Sequence, residues 1–267
     1  MIDAAPKPLA GKRIVVTRAR EQAGELTRVL EQFGAQVILL PAVAFAPPQD
    51  SGPLDRALLE LRRFGWVLFT SQNAVRFTIM RLKQLGLAPA VQSVAAVGPA
   101  TAETARQEGF HVDYVANQHT AHSLALELQD SIASSNVLLP RSDRSDPELA
   151  AALRASGASV TDVVAYRTIA PEDVDPAVLE QVRAADFDVA IFSSPSAFQN
   201  TDALLGVGTL MSLAERARYA AIGPTTAKAM LTAGVRVHIE AEEASTAGLA
   251  EAIAKYFHDH ATESRHP

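Results

Sequence analysis

The sequence contains no cysteine among its 267 residues. Disulfides, zinc ribbons, iron–sulfur clusters and thiol catalysis are therefore excluded. It also has no apolar run close to the roughly 18 residues that a membrane-spanning helix needs. The opening stretch MIDAAPKPLAGKR lacks the apolar core of a signal peptide. These absences predict a cytoplasmic protein that does not enter a membrane.

Acidic residues outnumber basic ones, so the formal net charge at pH 7 is −6, and the lysines and arginines are scattered along the sequence. Nucleic acid and anionic membrane surfaces are therefore not expected as partners. An anionic ligand would have to be held by local hydrogen-bond donors. The sequence also lacks the motifs GxxxxGK[ST], GxGxxG after a strand, GxSxG and HExxH. The sequence therefore gives no motif support for nucleotide hydrolysis, dinucleotide redox chemistry, hydrolases with a nucleophile elbow or zinc metalloproteases of the HExxH type.

Short β-branched runs alternate with longer amphipathic segments along the whole chain. The runs are RIVVT, WVLFT and SVAAVG in the first half, and NVLLP, DVAIFSS and YAAIG in the second. Most helical segments end at a glycine, such as Gly34 or Gly157, that suits a left-handed C-cap. This alternation predicts an α/β fold with parallel sheets flanked by helices. The chain length favours two domains.

The chain contains an internal duplication. Residues 14–48 align without a gap on residues 137–171, a shift of 123 positions with nine identities in thirty-five, including Arg18 on Arg141. FTSQNA falls on FSSPSA at the same shift, and VGPATA falls on IGPTTA two residues later. Each copy has about the size of a flavodoxin-like domain. We therefore expect two similar flavodoxin-like domains that face each other.

Hydroxyl groups follow nearly every predicted strand. Ligands of open parallel sheets bind beyond the carboxyl ends of the strands, where helix N-termini converge. Hydroxyls and free backbone amides at these ends predict a site for carboxylates or phosphates. The alternative is that each serine or threonine only caps its helix. Ser193 and Thr246 are among these strand-end residues, and the candidate ligand-binding set is Thr17, Arg18, Thr70, Ser71, Asn73, Thr101, Arg141, Ser194, Ser196, Thr225 and Thr226.

A pair of histidines and one tyrosine are further candidates for metal binding or catalysis. His119 and His122 stand three residues apart, but no carboxylate or third histidine accompanies them at a useful spacing, so they predict a solvated helix start and no metal site. Tyr166 breaks the duplication, because Val43 occupies its position in the first copy. The architecture therefore does not require a phenol there. Tyr166 either packs at a strand edge or directs its hydroxyl into the ligand site as a proton donor.

The motifs VVTR, FTSQNAV, VGPAT, VVAYRTIAP, FSSPSA, AAIGPTTA and STAGLAEAI follow one another over about residues 12 to 257. In this order and spacing the chain resembles the uroporphyrinogen-III synthase family. The resemblance implies two α/β domains joined by a two-stranded β-ladder, with the substrate in the cleft between them. One domain would comprise residues 1–41 and 172–267 and the other residues 49–163, and the ladder would pair residues 42–48 with residues 164–171.

The resemblance also implies a reaction. The substrate would be hydroxymethylbilane, a linear tetrapyrrole rich in carboxylates, and the product uroporphyrinogen III. Water is lost, and ring D is inverted through a spiro intermediate, with no metal or organic cofactor. Tyr166 would assist the departure of the hydroxyl, the strand-end residues would bind substrate, and the protein would act as a monomer. The alternative is a tetrapyrrole-binding or sensor protein that has kept the fold without the catalysis.

Overall fold

The computed structural model describes residues 7–263. Its strands, in chain order, are β1 (Arg13–Val16), β2 (Gln36–Leu39), β3 (Ala44–Ala46), β4 (Trp66–Phe69), β5 (Ser93–Ala96), β6 (Tyr114–Val115), β7 (Asn136–Ser142), β8 (Ser159–Ile169), β9 (Val189–Phe192), β10 (Arg218–Ala221) and β11 (Ile239–Glu240).

The α-helices are α1 (Gly24–Gln32), α2 (Gly52–Leu59), α3 (Gln72–Gln84), α4 (Pro99–Gln107), α5 (Ala121–Ile132), α6 (Glu148–Ala155), α7 (Pro176–Arg183), α8 (Pro195–Leu205), α9 (Thr209–Leu213), α10 (Pro224–Thr232) and α11 (Thr246–Glu263). Within residues 7–263, no helix combines the length and the apolar composition needed to cross a bilayer.

The described residues form two compact units. The first contains the chain up to Ala44 and again from Ile169 onward, and the second contains Phe45–Thr168. The first unit has a sheet of order β11-β10-β9-β1-β2, and the second a sheet of order β3-β8-β7-β4-β5-β6. The strand pairs from β9 to its neighbours and from β4 to its neighbours are all parallel. The prediction of an α/β fold with parallel sheets flanked by helices is confirmed.

The two sheets differ by a circular permutation. Numbered along the chain, the strands of the first unit have the order 2-1-3-4-5 of flavodoxin. Without β3, the second unit has the order 3-2-1-4-5 when its strands are numbered in the same way, with the last two strands of that unit at one edge. The strands β7 and β8, which match β1 and β2 in the duplicated sequence, come last in their unit instead of first. The duplicated sequence therefore folds twice into one spatial arrangement with different chain connections.

The central strands of both sheets are buried on both faces, as expected for a parallel sheet covered by helices, whereas the edge strands β2, β3 and β6 are only partly buried. In β9 of the first unit, Val189 and Ile191 pack on one side while Ala190 and Phe192 pack on the other. In β4 of the second unit, Leu68 packs on the opposite side from its neighbours along the strand. This double burial explains why the strands are short β-branched runs in the sequence without polar alternation.

Parts of the two segments expected to form a ladder lie at the edge of the second sheet. β3 lies beside β8 at this edge. β8 is a strand of 11 residues. It pairs with β7 from Ser159 opposite Asn136 to Tyr166 opposite Ser142, with an irregularity between Arg141 and Ser142. The second ladder segment is therefore the end of a sheet strand, and Tyr166 lies near that end.

The duplicated glycines Gly34 and Gly157 follow α1 and α6 and have φ values of 97° and 85°. This left-handed conformation is the C-cap geometry that glycine adopts most readily. A β-carbon on Gly34 would also lie 2.8 Å from the Cβ atom of Lys7. The prediction that these glycines end helices is confirmed.

Candidate functional site

Each sheet has one place where the strand order reverses, and several of the predicted site residues lie there. In the first unit this place lies between β1 and β9, and in the second between β4 and β7. Ligands of open α/β sheets bind in the crevice at such a reversal, beyond the carboxyl ends of the strands. Arg18 follows β1, Ser194 follows β9, Ser71 follows β4 and Arg141 lies in the last part of β7.

Arg18 is held at the reversal of the first unit by two hydroxyl groups. Its Nε donates to Ser193 Oγ at 2.8 Å, and its Nη1 donates to Thr246 Oγ1 at 3.3 Å. Within the described part of the chain, no carboxylate lies within 4.0 Å of this guanidinium. Burial lowers the pKa of Arg18, and the charge of Glu25 partly opposes this shift. A half-buried arginine without a bonded counter-ion can bind an anionic group.

Arg141 occupies the matched position in the second unit, but its guanidinium has different hydrogen-bond partners. Its Nε donates to a carboxylate oxygen of Asp162. Its Nη1 donates to the carbonyl oxygens of Ser142 and Ser145 at 3.2 and 3.3 Å. Its charge is therefore compensated within the protein. The guanidinium joins the end of β7 to β8, and it also lines a cavity, so ligand binding by Arg141 stays a prediction.

A cavity of about 380 Å³ lies beside Arg141 in the second unit. It has apolar walls from Ala125, Leu139 and Leu149, and Thr70 and His122 also line it. Thr70 matches Ser193 in the duplication, so the cavity stands where the first unit has the contact between Arg18 and Ser193. Arg141 lines this cavity while its Nε atom donates to Asp162.

Ser71 and Ser194 cap their helices in the same way. Ser71 Oγ accepts a hydrogen bond of 3.1 Å from the backbone N–H of Ala74 at the start of α3. Ser194 Oγ accepts an equal bond of 3.1 Å from the N–H of Ala197 at the start of α8. Both serines therefore cap the helices that follow them, as one of the two interpretations of the sequence expected. A serine hydroxyl keeps one proton and one lone pair beyond this bond.

Tyr166 places its phenol oxygen 3.1 Å from Ser71 Oγ. Its ring stacks on Phe77, with centroids 5.5 Å apart and planes at 19°. It also meets Phe45 edge-on at 5.7 Å. The residue is 7% exposed, so the ring is packed and the hydroxyl is held in one place. The packing role is therefore realised, and the hydroxyl has Ser71 as its hydrogen-bond partner, while the role of proton donor stays a prediction.

The other predicted binding residues differ in exposure. Thr17 is fully buried and donates to the carbonyl oxygen of Ile191 at 2.6 Å, which joins β1 to β9. Its hydroxyl is bonded inside the sheet, and the binding role of Thr17 stays a prediction. Buried side chains also include Asn73, Thr101 and Thr226, whereas Ser196 is half-buried and Thr225 is exposed at the start of α10.

Three side chains of the site were not predicted from the sequence. These are Asp162, which bonds Arg141, and Phe45 and Phe77, which hold the ring of Tyr166. The duplication carried a signal for Asp162, because the first copy has Leu39 at that position and therefore no carboxylate for Arg18. It carried a signal for Phe77 as well, since the second copy has Asn200 there.

The two histidines lie at the start of α5. His119 precedes the helix, with its Nδ1 atom 2.8 Å from the carbonyl oxygen of Ala116, and His122 lies in the first turn. His119 has a positive φ of 54°. Among residues 7–263, no three histidine, aspartate or glutamate side chains form a group that could hold a metal ion.

Comparison with known proteins agrees with this architecture. A family model described as "Uroporphyrinogen-III synthase HemD" matches residues 24–251. A uroporphyrinogen-III synthase of Synechococcus elongatus is 30% identical over 258 residues, which cover 94% of this chain and 98% of that protein.

Two solved structures show the same fold. A mutant uroporphyrinogen III synthase of Thermus thermophilus aligns with a TM-score of 0.60 at 18% identity, over 93% of this chain and 99% of that chain. The uroporphyrinogen-III synthetase of Helicobacter pylori aligns with a TM-score of 0.58 at 18% identity, over 95% and 100%. From the family match and the Synechococcus relative, the chain belongs to the uroporphyrinogen-III synthase family.

Proposed function

We propose that this protein cyclises hydroxymethylbilane to uroporphyrinogen III with loss of water and inversion of ring D, and so acts as a hydro-lyase in porphyrin biosynthesis. The proposal includes a monomeric enzyme of the cytoplasm that uses no metal or organic cofactor and has no nucleic-acid or membrane partner. Family membership supports the reaction. The hydroxyl-rich strand ends agree with a small polyanionic substrate, because such donors can hold carboxylates without an excess of lysine or arginine.

The observation that carries the proposal is the position of the Tyr166 hydroxyl. It is held 3.1 Å from Ser71 Oγ, next to the N-terminus of α3, by a ring packed between two phenylalanines. The first step of the reaction removes the hydroxyl of the ring A hydroxymethyl group, which leaves more readily as water than as hydroxide. A fixed phenol can donate the required proton. We assign this role to Tyr166.

The strand-end donors are assigned to the carboxylates of the substrate. Arg18 is the strongest candidate, because its charge has no bonded carboxylate within the described residues and two hydroxyls orient it. Thr70, Ser196 and Thr225 offer hydroxyls that are at least partly accessible. The N-termini of α4, α8 and α10 add free backbone amides. Such donors bind carboxylates without a cluster of lysines.

The binding of many carboxylates also explains how the reaction is directed. The ring D carbon that attacks is already substituted, whereas spontaneous closure uses the free carbon and gives the I isomer. Fixing a flexible tetrapyrrole in one near-attack geometry lowers the entropic part of the barrier for the crowded closure. Interactions spread along the substrate contribute to this orientation together. The loss of one hydroxyl is therefore expected to weaken turnover only modestly.

Isomer analysis tests the proposed function. Purified protein is mixed with freshly generated hydroxymethylbilane, and the products are oxidised to porphyrins and separated. The proposal predicts a large excess of isomer III over the protein-free control. If the control and the protein sample both give isomer I alone, while the protein still binds the tetrapyrrole, the chain is a binding protein and the proposal is wrong.

A further inference from the structure

We propose that Ser71 is a positioning residue for Tyr166: it donates a hydrogen bond to the phenol oxygen and stabilises the phenolate that forms when Tyr166 gives up its proton. This inference rests on the proposed function, because it assigns Tyr166 as the proton donor of that reaction. The role is distinct from the helix capping and substrate binding considered for Ser71 so far.

The hydrogen bonds of Ser71 indicate which of the two hydroxyls is the donor. The Ser71 and Tyr166 hydroxyl oxygens are 3.1 Å apart, and either could be the donor from distance alone. Ser71 Oγ already accepts from the N–H of Ala74. A hydroxyl that accepts a hydrogen bond becomes a better donor, because hydrogen bonds in a chain polarise one another. The chain therefore runs from the Ala74 N–H to Ser71 and on to Tyr166.

This direction leaves the phenol proton free for the substrate. The proton passes from Tyr166 to the hydroxyl oxygen of the ring A hydroxymethyl group. The carbon–oxygen bond breaks with its electron pair on that oxygen, and water leaves. The ring A pyrrole remains as the azafulvenium cation and Tyr166 as the phenolate. The phenolate recovers a proton when the closed macrocycle loses one, so the enzyme returns to its starting state.

Ser71 helps most when the negative charge appears. A hydrogen bond to a charged oxygen is about twice as strong as one between neutral groups. The positive end of the α3 dipole lies at the same place, because Ser71 is the N-cap of that helix. Both effects are stronger in the transition state than with the neutral phenol. They therefore increase the rate rather than substrate affinity.

The duplication provides an internal control. Ser194 matches Ser71 in sequence and caps α8 with a bond of the same length, 3.1 Å. The residue that matches Tyr166 is Val43, which has no hydroxyl. Ser194 therefore has the capping function without the phenol. Any effect shared by the two serines is due to capping or to substrate binding, and an effect specific to Ser71 that disappears in the Tyr166→Phe background is due to Tyr166.

The test combines each serine variant with Tyr166→Phe and measures kcat and KM for isomer III formation. Ser71→Ala should lower kcat by on the order of 10²-fold with little change in KM, by analogy with loss of one oxyanion donor. Ser71→Thr, which keeps both the cap and the donor, should restore most of the rate. Ser71→Ala should cause no further loss in the Tyr166→Phe background, whereas the effects of Ser194→Ala and Tyr166→Phe should multiply.

A further variant separates catalysis from folding. Ser71→Asp keeps an N-cap acceptor but cannot donate a hydrogen bond when ionised. It should fold like the wild type and lose kcat as Ser71→Ala does. The inference is overturned if Ser71→Ala and Ser194→Ala have equal effects on kcat, or if the losses from Ser71→Ala and Tyr166→Phe multiply. Failure of the proposed function is distinguishable, since the wild type would then form no isomer III at all.

Discussion

The Nε atom of Arg18 donates a hydrogen bond of 2.8 Å to the hydroxyl of Ser193, across the ends of β1 and β9. At the matched place in the second unit, Arg141 bonds Asp162 instead of Thr70. The duplicated arginines thus have different roles. Arg18 keeps a charge that is compensated by no bonded carboxylate in the described part of the chain, while Arg141 is part of an internal ion pair.

The first prediction concerns Arg18. Arg18→Ala should raise KM for hydroxymethylbilane by about tenfold or more, because charge-assisted hydrogen bonds to a substrate carboxylate are lost. Arg18→Lys should recover only part of the affinity, since an ammonium group lacks the fork of donors that orients the arginine. Initial rates over a range of substrate concentrations measure both effects.

Arg28→Ala is the matched control for net charge, because Arg28 lies on α1, away from the strand ends. It should leave KM within about twofold of the wild type, as is usual for distant surface charges screened by salt. Equal KM values for the Arg18 and Arg28 variants would show that Arg18 binds no carboxylate of the substrate.

The second prediction concerns the ion pair in the other unit. Arg141→Ala should lower the free energy of unfolding by about 2 kcal/mol, because the partly buried carboxylate of Asp162 loses its partner. KM should change little. The double variant Arg141→Ala with Asp162→Leu should regain stability, since it removes the unpaired charge and installs the residue type of Leu39. Denaturant unfolding measures the stabilities; a double variant weaker than Arg141→Ala would contradict the argument.

The third prediction compares two buried threonines. Thr17 and Thr78 are both fully buried; Thr17 donates to the carbonyl oxygen of Ile191, whereas the Thr78 hydroxyl has no hydrogen-bond partner among residues 7–263. Thr17→Val should reduce the free energy of unfolding by about 1 kcal/mol, because it removes this hydrogen bond from the carbonyl. Thr78→Val should be neutral or stabilising, since it removes a buried hydroxyl without a partner. Denaturant unfolding distinguishes the two, and equal losses would refute the assignment.

The fourth prediction concerns pH. His238 Nδ1 accepts from the backbone N–H of Tyr219 at 3.1 Å, and burial together with Arg218 and Arg236 lowers its pKa to about 4. The unfolded state, with a histidine pKa near 6.5, binds the proton first. This contribution to stability is therefore complete above pH ~6.5 and is lost as the pH falls toward 4.

His238→Asn should make the unfolding temperature less dependent on pH between 7 and 5, because the side-chain oxygen of asparagine accepts a hydrogen bond without titrating. His111→Asn is the control, since the His111 side chain is 90% exposed. It should leave the pH dependence as in the wild type. A pH dependence that survives in the His238 variant would contradict this account.

Much of the fold could be predicted from the sequence because the strands are buried on both faces and the helices end at glycines. The duplication also located the strand ends, and the structure brings Arg18, Ser71, Ser194 and Tyr166 to them. Whether a strand-end hydroxyl faces a ligand or the sheet depends on side-chain direction. The sequence pattern does not report that direction, so it does not predict that the Thr17 hydroxyl donates to the carbonyl oxygen of Ile191 inside the sheet.

The side-chain direction of Arg141 could not be predicted from the motifs either. Its residue type and position match those of Arg18, and the difference lies in a partner from the neighbouring strand, Asp162 opposite Leu139. Pairing between strands depends on register, which motif spacing alone does not determine. Comparing the two copies position by position, Leu39 against Asp162, recovers this information from the sequence.

The rate of isomer III formation by Tyr166→Phe tests the central claim most directly, because this change removes only the hydroxyl and keeps the packing against Phe45 and Phe77. The account predicts that the rate falls by on the order of 10²-fold or more, while tetrapyrrole binding and unfolding temperature stay near the wild-type values. A variant that forms isomer III at the wild-type rate would show that Tyr166 only packs.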